Sequence, residues 1–417
     1  MTFPRLNING ERLWNSLMAL ARIGATPKGG SCRLALTRED REGRDLVTGW
    51  MRDAGLKIHV DEVGNVFGIR PGRNARLPPV AAGSHLDTQP SGGRFDGCFG
   101  VMAGLEVMRT LQENEVRTEA PLALIIWTNE EGSRFAPAMM GSGVHCGVFT
   151  REAMWQTADY QGKRVKDELK TIGYLGDMSI GAFRPACYFE AHIEQGPILE
   201  NENKLIGVVT GSLGMRWWDA TITGMDAHAG PTPMSARRDA LYAAAGLMRA
   251  AIDIASAPEF APHGRGTVGE VHVYPNSRNV IPGEVKFTID LRHHEPSQLD
   301  AMEQRLRRIF QAAQDDPAQP VKTRLEDVQA FPPTSFAPAL VRAVEASAAA
   351  RGYPRQPILT GAGHDAIYMA GVTPTAMIFI PCKDGISHNE AEYAQPEHVE
   401  AGANVLLDVL LAQTRAT

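Results

Sequence analysis

The chain has 417 residues and a formal net charge of −6, with 43% hydrophobic and 22% charged residues. That length exceeds what one simple core fills, so two domains are expected, in a chain of ordinary globular composition. An acidic balance argues against a nucleic-acid or anionic-membrane partner, and no apolar run approaches the roughly 20 residues needed to span a bilayer.

In chain order, "NGERLWNSLMALARIG" and "TREDREGRDLVTGWMRDAG" have helical apolar spacing, with Thr37 as N-cap and Asp40 as its acidic partner. "KIHVDEVGNVFGIRPG" reads as a β-hairpin turning near Gly64 and Asn65. "PVAAGSHLDT" is a short buried strand that runs into polar residues, and "VMAGLEVMRTLQEN" is an amphipathic helix. "LIIWTNEEGSRF" is a second buried strand, ending in two adjacent carboxylates, Glu130 and Glu131. Alternating strands and helices predict an α/β layer fold, in which sites gather at the carboxyl ends of strands.

The character changes near Gly211. "MRWWDATITG", an Ala-rich helix over Ala236 to Ala257, "GTVGEVHVYPNS", "EVKFTIDLRHH", the helix "SQLDAMEQRLRRIFQAAQ" and "VKTRLEDVQ" follow in a β-α-β-β-α-β series. That is the ferredoxin-like order. The Pro-rich "AFPPTSFAP" marks a return to the first domain, whose last part, "TPTAMIFIPCKDGISHNE", is again a strand emptying into a polar loop. The expected organisation is a discontinuous domain, residues 1–212 and 331–417, with a smaller domain, 213–330, inserted. Two crossings, at Gly211–Gly214 and Phe331–Pro333, would let the inserted domain move as a hinged lid.

The five cysteines, Cys32, Cys98, Cys146, Cys187 and Cys382, are scattered with no CxxC pair. That pattern suits reduced thiols, and the first residues contain no apolar signal region. A cytoplasmic location is expected.

Five stretches bring acids or imidazoles to strand ends: "GSHLDT", "GGRFDG", "TNEEGS", "FEAHIEQG" and "ISHNE". Singly they mean little, because a buried histidine is more often a satisfied core residue and an Asp before Gly is usually a turn residue. Their recurrence after apolar strands is what chance does not readily produce. Histidines and carboxylates without paired cysteines suit Zn, Mn, Co or Ni at a hydrolytic site. Two neighbouring buried carboxylates also call for a compensating positive charge.

Through these motifs the chain resembles the M20-type metallohydrolases, in particular the amidase, hydantoinase and carbamoylase branch. That branch includes N-carbamoyl-L-amino acid hydrolases, β-ureidopropionases and allantoate amidohydrolases. "GSHLDTQPSGGRFDG" and "WTNEEGSRFAPAMMGS" carry the likeness most specifically, and it extends over nearly the whole chain. It implies a mixed-sheet, zinc-peptidase-like α/β catalytic domain with an inserted ferredoxin-like α+β lid and dimerisation domain. It also implies two divalent metal ions per subunit. His85 would bind one ion and His192 the other, Asp96 would bridge them, Glu131 would bind one and His388 the second. Asp87 would accept the second ring N–H of His85 and fix its tautomer. With Glu131 tied to metal charge, Glu130 would be the general base, taking a proton from water and passing it to the leaving nitrogen.

For the substrate, the resemblance implies Arg292 as a bidentate carboxylate clamp, Gln195 at the ureido group, and His228 and Asn279 as oxyanion and substrate donors. His228 and Asn279 would come from the partner subunit of a homodimer with shared sites. His364 of "GAGHDA" matches a further motif and is grouped with the substrate-binding residues. The expected reaction is hydrolysis of a small ureido acid, an N-carbamoyl amino acid of the L-α or β-alanine type, to amino acid, ammonia and CO2. The alternatives are allantoate amidohydrolysis, a dipeptidase or aminoacylase activity, and a non-catalytic dimeric binding protein. The last should have lost a ligand or the base, and none is missing from the motifs.

Overall fold

The computed structural model describes residues 6–318 and 320–414. Its described chain forms two compact units, one running to Thr210 and resuming at Ser335, the other spanning Gly211–Thr334.

The first unit opens with the helix Gly10–Ala21, capped by the Asn9 side chain, and Arg38–Asp53, capped by Thr37 onto the Asp40 amide. Strands β1 (Lys57–Val60) and β2 (Val66–Arg70) form the expected hairpin, in which Val60 faces Val66 across the turn. Next come β3 (Val80–His85), β4 (Leu122–Trp127), β5 (Cys187–Ile193) and β6 (Ile206–Ser212).

The second unit contains β7 (Gly214–Thr223), β8 (Ala227–His228), β9 (Arg265–Thr267), β10 (Val271–Tyr274), β11 (Val280–Ile281), β12 (Glu284–His293) and β13 (Lys322–Phe331). The chain leaves it through β14 (Thr334–Ser335) and completes the first unit with β15 (Arg355–Thr360) and β16 (Thr375–Ile380).

The main sheet is mixed, in the order β1-β2-β4-β3-β5-β16-β6-β14, with β15 paired to β6. Its centre, β4-β3-β5-β16, is parallel, and each of these four strands is buried along its whole length. This explains why "LALIIW" and "TAMIFI" read as continuous apolar runs, since helices and loops cover both faces of a parallel sheet. One face packs on the helices Cys98–Glu113 and Pro396–Gln413, the other on Phe183, Leu199, Phe336 and Met369. Burying a side chain such as Ile126 or Phe379 contributes about 1.5–3 kcal/mol, enough collectively to hold polar strand ends in fixed positions.

The second unit is a five-stranded antiparallel sheet, β10-β12-β7-β13, with β9 on β12. The helices Ala240–Ala255 and Pro296–Asp315 share its core. Strand β7 alternates as a one-sided strand must: Trp218, Ala220 and Ile222 are buried, while Trp217, Asp219 and Thr223 are exposed. Chain order and sheet order together are ferredoxin-like. At the unit's boundary, Gly214 lies against Pro333, and a Cβ at Gly214 would come within 2.5 Å of that ring.

Candidate functional site

The four parallel strands deliver their polar residues at one sheet edge. In the parallel pairing of β3 with β5, Val80 stands beside Cys187 and Ala82 beside Phe189. The same offset carries His85 beside His192, with ring centroids 6.0 Å apart. Each Nδ1 is 2.9 Å from a main-chain carbonyl, Asp87 O for His85 and Ile193 O for His192. A carbonyl can only accept, so both rings carry the proton on Nδ1 and turn a lone pair outward from Nε2. The His192 Nε2 lone pair accepts the Gly97 amide at 3.1 Å.

Both Nε2 atoms face one oxygen of Asp96: Oδ1 is 3.6 Å from His85 and 3.2 Å from His192. The other oxygen, Oδ2, is 3.3 Å from His388 Nε2, and His388 is in turn 3.3 Å from Glu131 Oε2. The potential ligand atoms of His85, Asp96 and His192 all lie within 4.8 Å of one another, and so do those of Asp96, Glu131 and His388. This grouping differs from the expected distribution. His85 and His192 fall in one set because β3 and β5 are neighbours in register, and Glu131 pairs with His388 in the other.

Asp87 is also corrected in detail. Its main-chain carbonyl, not its carboxylate, holds His85; the carboxylate Oδ1 is 3.9 Å from that nitrogen. The carboxylate instead accepts the amides of Glu130 at 3.3 Å and Glu131 at 3.2 Å, orienting the turn after β4. Glu130 belongs to neither set, and its Oε2 lies 3.4 Å from His85 Nε2.

The electrostatics are those of an anion-rich pocket. Burial pushes the Glu130 carboxyl well above its ordinary range, and Asp365, Glu131 and Asp87 add to the rise against the opposing pull of His85. Burial would also raise Asp96, but the nearby imidazoles of His192, His388 and His85 outweigh it and hold that carboxylate well below its usual range. Hydrogen bonds to Asp96 and Glu131 lift His388 to about 10. The side-chain partners of Asp96, Glu131 and Glu130 in the described residues are His, Gln and Ser, with no Lys or Arg among their hydrogen bonds and ion pairs. Imidazole lone pairs and carboxylates converging without a basic side chain fit divalent metal ions of the Zn, Mn, Co and Ni type.

Gln195 is at the same place, donating to Asp96 Oδ2 at 2.8 Å. His364 is fully buried, bonds to Thr360 Oγ1 at 2.9 Å, and lays its ring 4.5 Å from His192. Burial, then His192, pushes its pKa well below the ordinary value. A third set, Glu190, His192 and His364, also has ligand-type atoms within 4.8 Å.

His228, Asn279 and Arg292 lie in the second unit. The β8–β11 ladder places His228 opposite Val280, beside Asn279, whose carbonyl accepts the Ala229 amide at 2.9 Å. Arg292 points its Nε and Nη2 at the Asp290 carboxylate, at 3.0 and 2.6 Å.

The sequence reading missed three buried acids. Glu190 bonds to Ser84 Oγ at 2.8 Å and to the Ala366 amide at 2.9 Å. Asp365 accepts from Ser142, and Glu392 accepts the amides of Phe95 and Asp96. Glu190 was findable, because it lies two residues before His192 on an otherwise apolar strand and so shares its face.

The chain belongs to peptidase family M20/M25/M40, whose profile matches residues 81–412. It is 46% identical over 404 residues to the N-carbamoyl-L-amino-acid amidohydrolase of Rhizobium meliloti, covering 97% of this chain and 96% of that one. The allantoate amidohydrolase of Bacillus subtilis is more distant, 31% identical, with 94% of each chain covered. Among solved structures, an amidase of the hydantoinase/carbamoylase family from Burkholderia multivorans superimposes with a TM-score of 0.94 at 52% identity, over 99% of both chains.

Proposed function

We propose that the protein hydrolyses N-carbamoyl-L-amino acids at a site holding two divalent metal ions. The observation that carries this reading is Asp96, whose two carboxylate oxygens face two different ligand sets while Glu130 stands beside them in neither. Its full-length similarity to an N-carbamoyl-L-amino-acid amidohydrolase supports the choice of substrate.

When bound, the ions would polarise the ureido carbonyl and lower the pKa of water towards neutrality. The remaining steps fall to the chain's own residues. Asp87 fixes the backbone of Glu130 and Glu131, so the base and a ligand keep their separation. Glu130 Oε2 takes one proton from the attacking water and returns it to the amino-acid nitrogen as the carbamoyl C–N bond breaks. The released carbamic acid then decays to ammonia and CO2. Gln195 addresses the ureido group, and His228 and Asn279 donate to the developing oxyanion. Arg292 clamps the substrate carboxylate through its planar guanidinium.

In this reading residues 1–212 and 331–417 are the catalytic domain, and 213–330 serve as lid and dimerisation domain. His228 and Asn279 act on the site of the partner subunit in a homodimer. No helix among the described residues is long and apolar enough to cross a membrane. The free cysteines support placement in the cytoplasm.

The test is a substrate panel on protein loaded with Mn, Co, Ni or Zn. Ammonia release should be fastest with N-carbamoyl-L-α-amino acids, against N-carbamoyl-β-alanine, allantoate and dipeptides. Preferential turnover of allantoate or of a dipeptide would refute the substrate assignment.

A further inference from the structure

Asp96 and His388 belong to loops almost three hundred residues apart, yet both must meet the same ion if the ligand reading above is right. The inference below rests on that reading. What joins the two loops is Glu392. Its side chain is 1% exposed, and its two oxygens are divided between them. Oε1 accepts the backbone amides of Phe95 at 2.9 Å and Asp96 at 3.1 Å. Oε2 accepts from Ser387 Oγ at 2.8 Å, one residue before His388. Ser387 Oγ is also 3.0 Å from Asp96 Oδ2, the oxygen that faces His388.

The local chain is shaped to admit this carboxyl. A Cβ at Gly93 would lie 2.0 Å from the Glu392 carboxyl carbon, so only glycine lets the loop before Asp96 close over it. The loop that carries His388 closes on itself through the Lys383 amide to the Tyr393 carbonyl at 2.7 Å and the Glu392 amide to the Asn389 carbonyl at 3.0 Å. His388 itself has a left-handed backbone, φ 54°, a conformation that persists only where its surroundings enforce it.

The geometry points to Glu392 as a positioning residue that fixes the bridging Asp96 and the His388 loop as one rigid part, with Ser387 as the link to the Asp96 side chain. Asp96 must present each oxygen to a different ligand set, so a small rotation of its loop misaligns both. Glu392 touches neither a ligand atom of the imidazoles nor any position assigned to substrate. It acts through the backbone of Asp96 and through Ser387. Groups in such supporting positions typically change metal affinity by about 10–100-fold when removed.

The experiment titrates metal-free protein with Co2+, following the visible absorption that reports its coordination geometry and competing the ions off with a chelator. Glu392→Ala leaves the amides of Phe95 and Asp96 without their acceptor and the Ser387 hydroxyl with Asp96 Oδ2 alone, and should weaken one or both Co2+ equivalents by about 10–100-fold with an altered spectrum. Glu392→Gln keeps an acceptor oxygen for the two amides and offers Ser387 an N–H, so it should bind within about threefold of wild type. Ser387→Ala, which leaves the amide bonds intact, should weaken binding by several-fold; it decides the matter if Glu392→Ala does not fold.

A folded Glu392→Ala with wild-type affinity and spectrum overturns the proposal. So does a Glu392→Gln as weak as the alanine, since charge rather than the clamp would then be required. An unchanged Ser387→Ala removes the link to Asp96 and overturns it likewise. His388→Ala, run alongside, separates this from the underlying reading: if that variant keeps both equivalents at wild-type affinity, the ligand set itself is wrong.

Discussion

Asp96 Oδ1 meets two imidazoles, while Oδ2 meets a third together with Gln195 and Ser387, so small displacements near this side chain affect two ligand sets at once. Gly97, the next residue, shows how little room remains. It adopts φ 63°, and a Cβ there would fall 2.4 Å from ring atoms of His85. Gly97→Ala combines backbone strain with a clash against a ring that is itself pinned by the Asp87 carbonyl, and is expected to cost about 1–3 kcal/mol. The measurement is bound metal per chain together with the melting temperature of the metal-free protein. Loss in both is expected, and a variant with normal metal content and normal melting would show that the ring is free to move. Asp87 makes a related point about atoms. The residue was legible from "HLD", but which of its oxygens holds His85 depended on a turn after β4 that offers two amides to the carboxylate.

Strand ends were the most readable elements. "GSHLDT", "WTNEEG", "FEAHIEQG" and "IFIPCKDGISHNE" are apolar runs that stop at acids and histidines, and the four central strands β3, β4, β5 and β16 end there. Their neighbour relations were not readable, because pairing of β3 with β5 joins residues over a hundred positions apart. The resemblance put His85 and His192 on different ions, and only the strand register shows that both face the same oxygen of Asp96. Glu392 and Asp365 were hidden for the same reason, since their partners are hundreds of residues away. A further element-level consequence concerns the helix Met140–His145. Its last residue packs its imidazole against Phe67, Trp127 and Phe183, and burial, then Arg184, lowers its pKa to about 4. The folded value lies below the unfolded one of roughly 6.5. The neutral ring's contribution is therefore complete above about pH 6.5 and is lost as pH falls towards 4. Unfolding free energy should drop by about 1–3 kcal/mol over that interval from this group. His145→Phe should flatten that part of the profile in denaturant melts at pH 6.5 and 4.5. An unchanged slope in the variant would show that the imidazole is already charged when buried.

For the whole molecule, the ferredoxin-like second unit holds His228, Asn279 and Arg292, whereas the first unit holds the candidate metal-ligand sets. The shared-site homodimer can be examined by mixing Glu130→Gln with His228→Ala, each inactive alone. If His228 serves the partner's site, a mixed dimer contains one site with both defects and one with neither. Subunit exchange should then restore up to about half the wild-type activity per mixed dimer. A verified heterodimer that stays inactive would confine His228 to its own chain or to structure.

The most direct test of the account compares metal content and turnover in the same samples of Glu130→Gln and Glu131→Gln. If Glu130 is the proton carrier and Glu131 a ligand, as proposed, Glu130→Gln should retain two equivalents of metal while ammonia release from an N-carbamoyl-L-amino acid falls by about 10²–10⁴-fold. Glu131→Gln should lose metal in parallel with activity. Near-normal turnover in Glu130→Gln, or loss of its metal, would contradict the division of labour on which the proposed reaction depends.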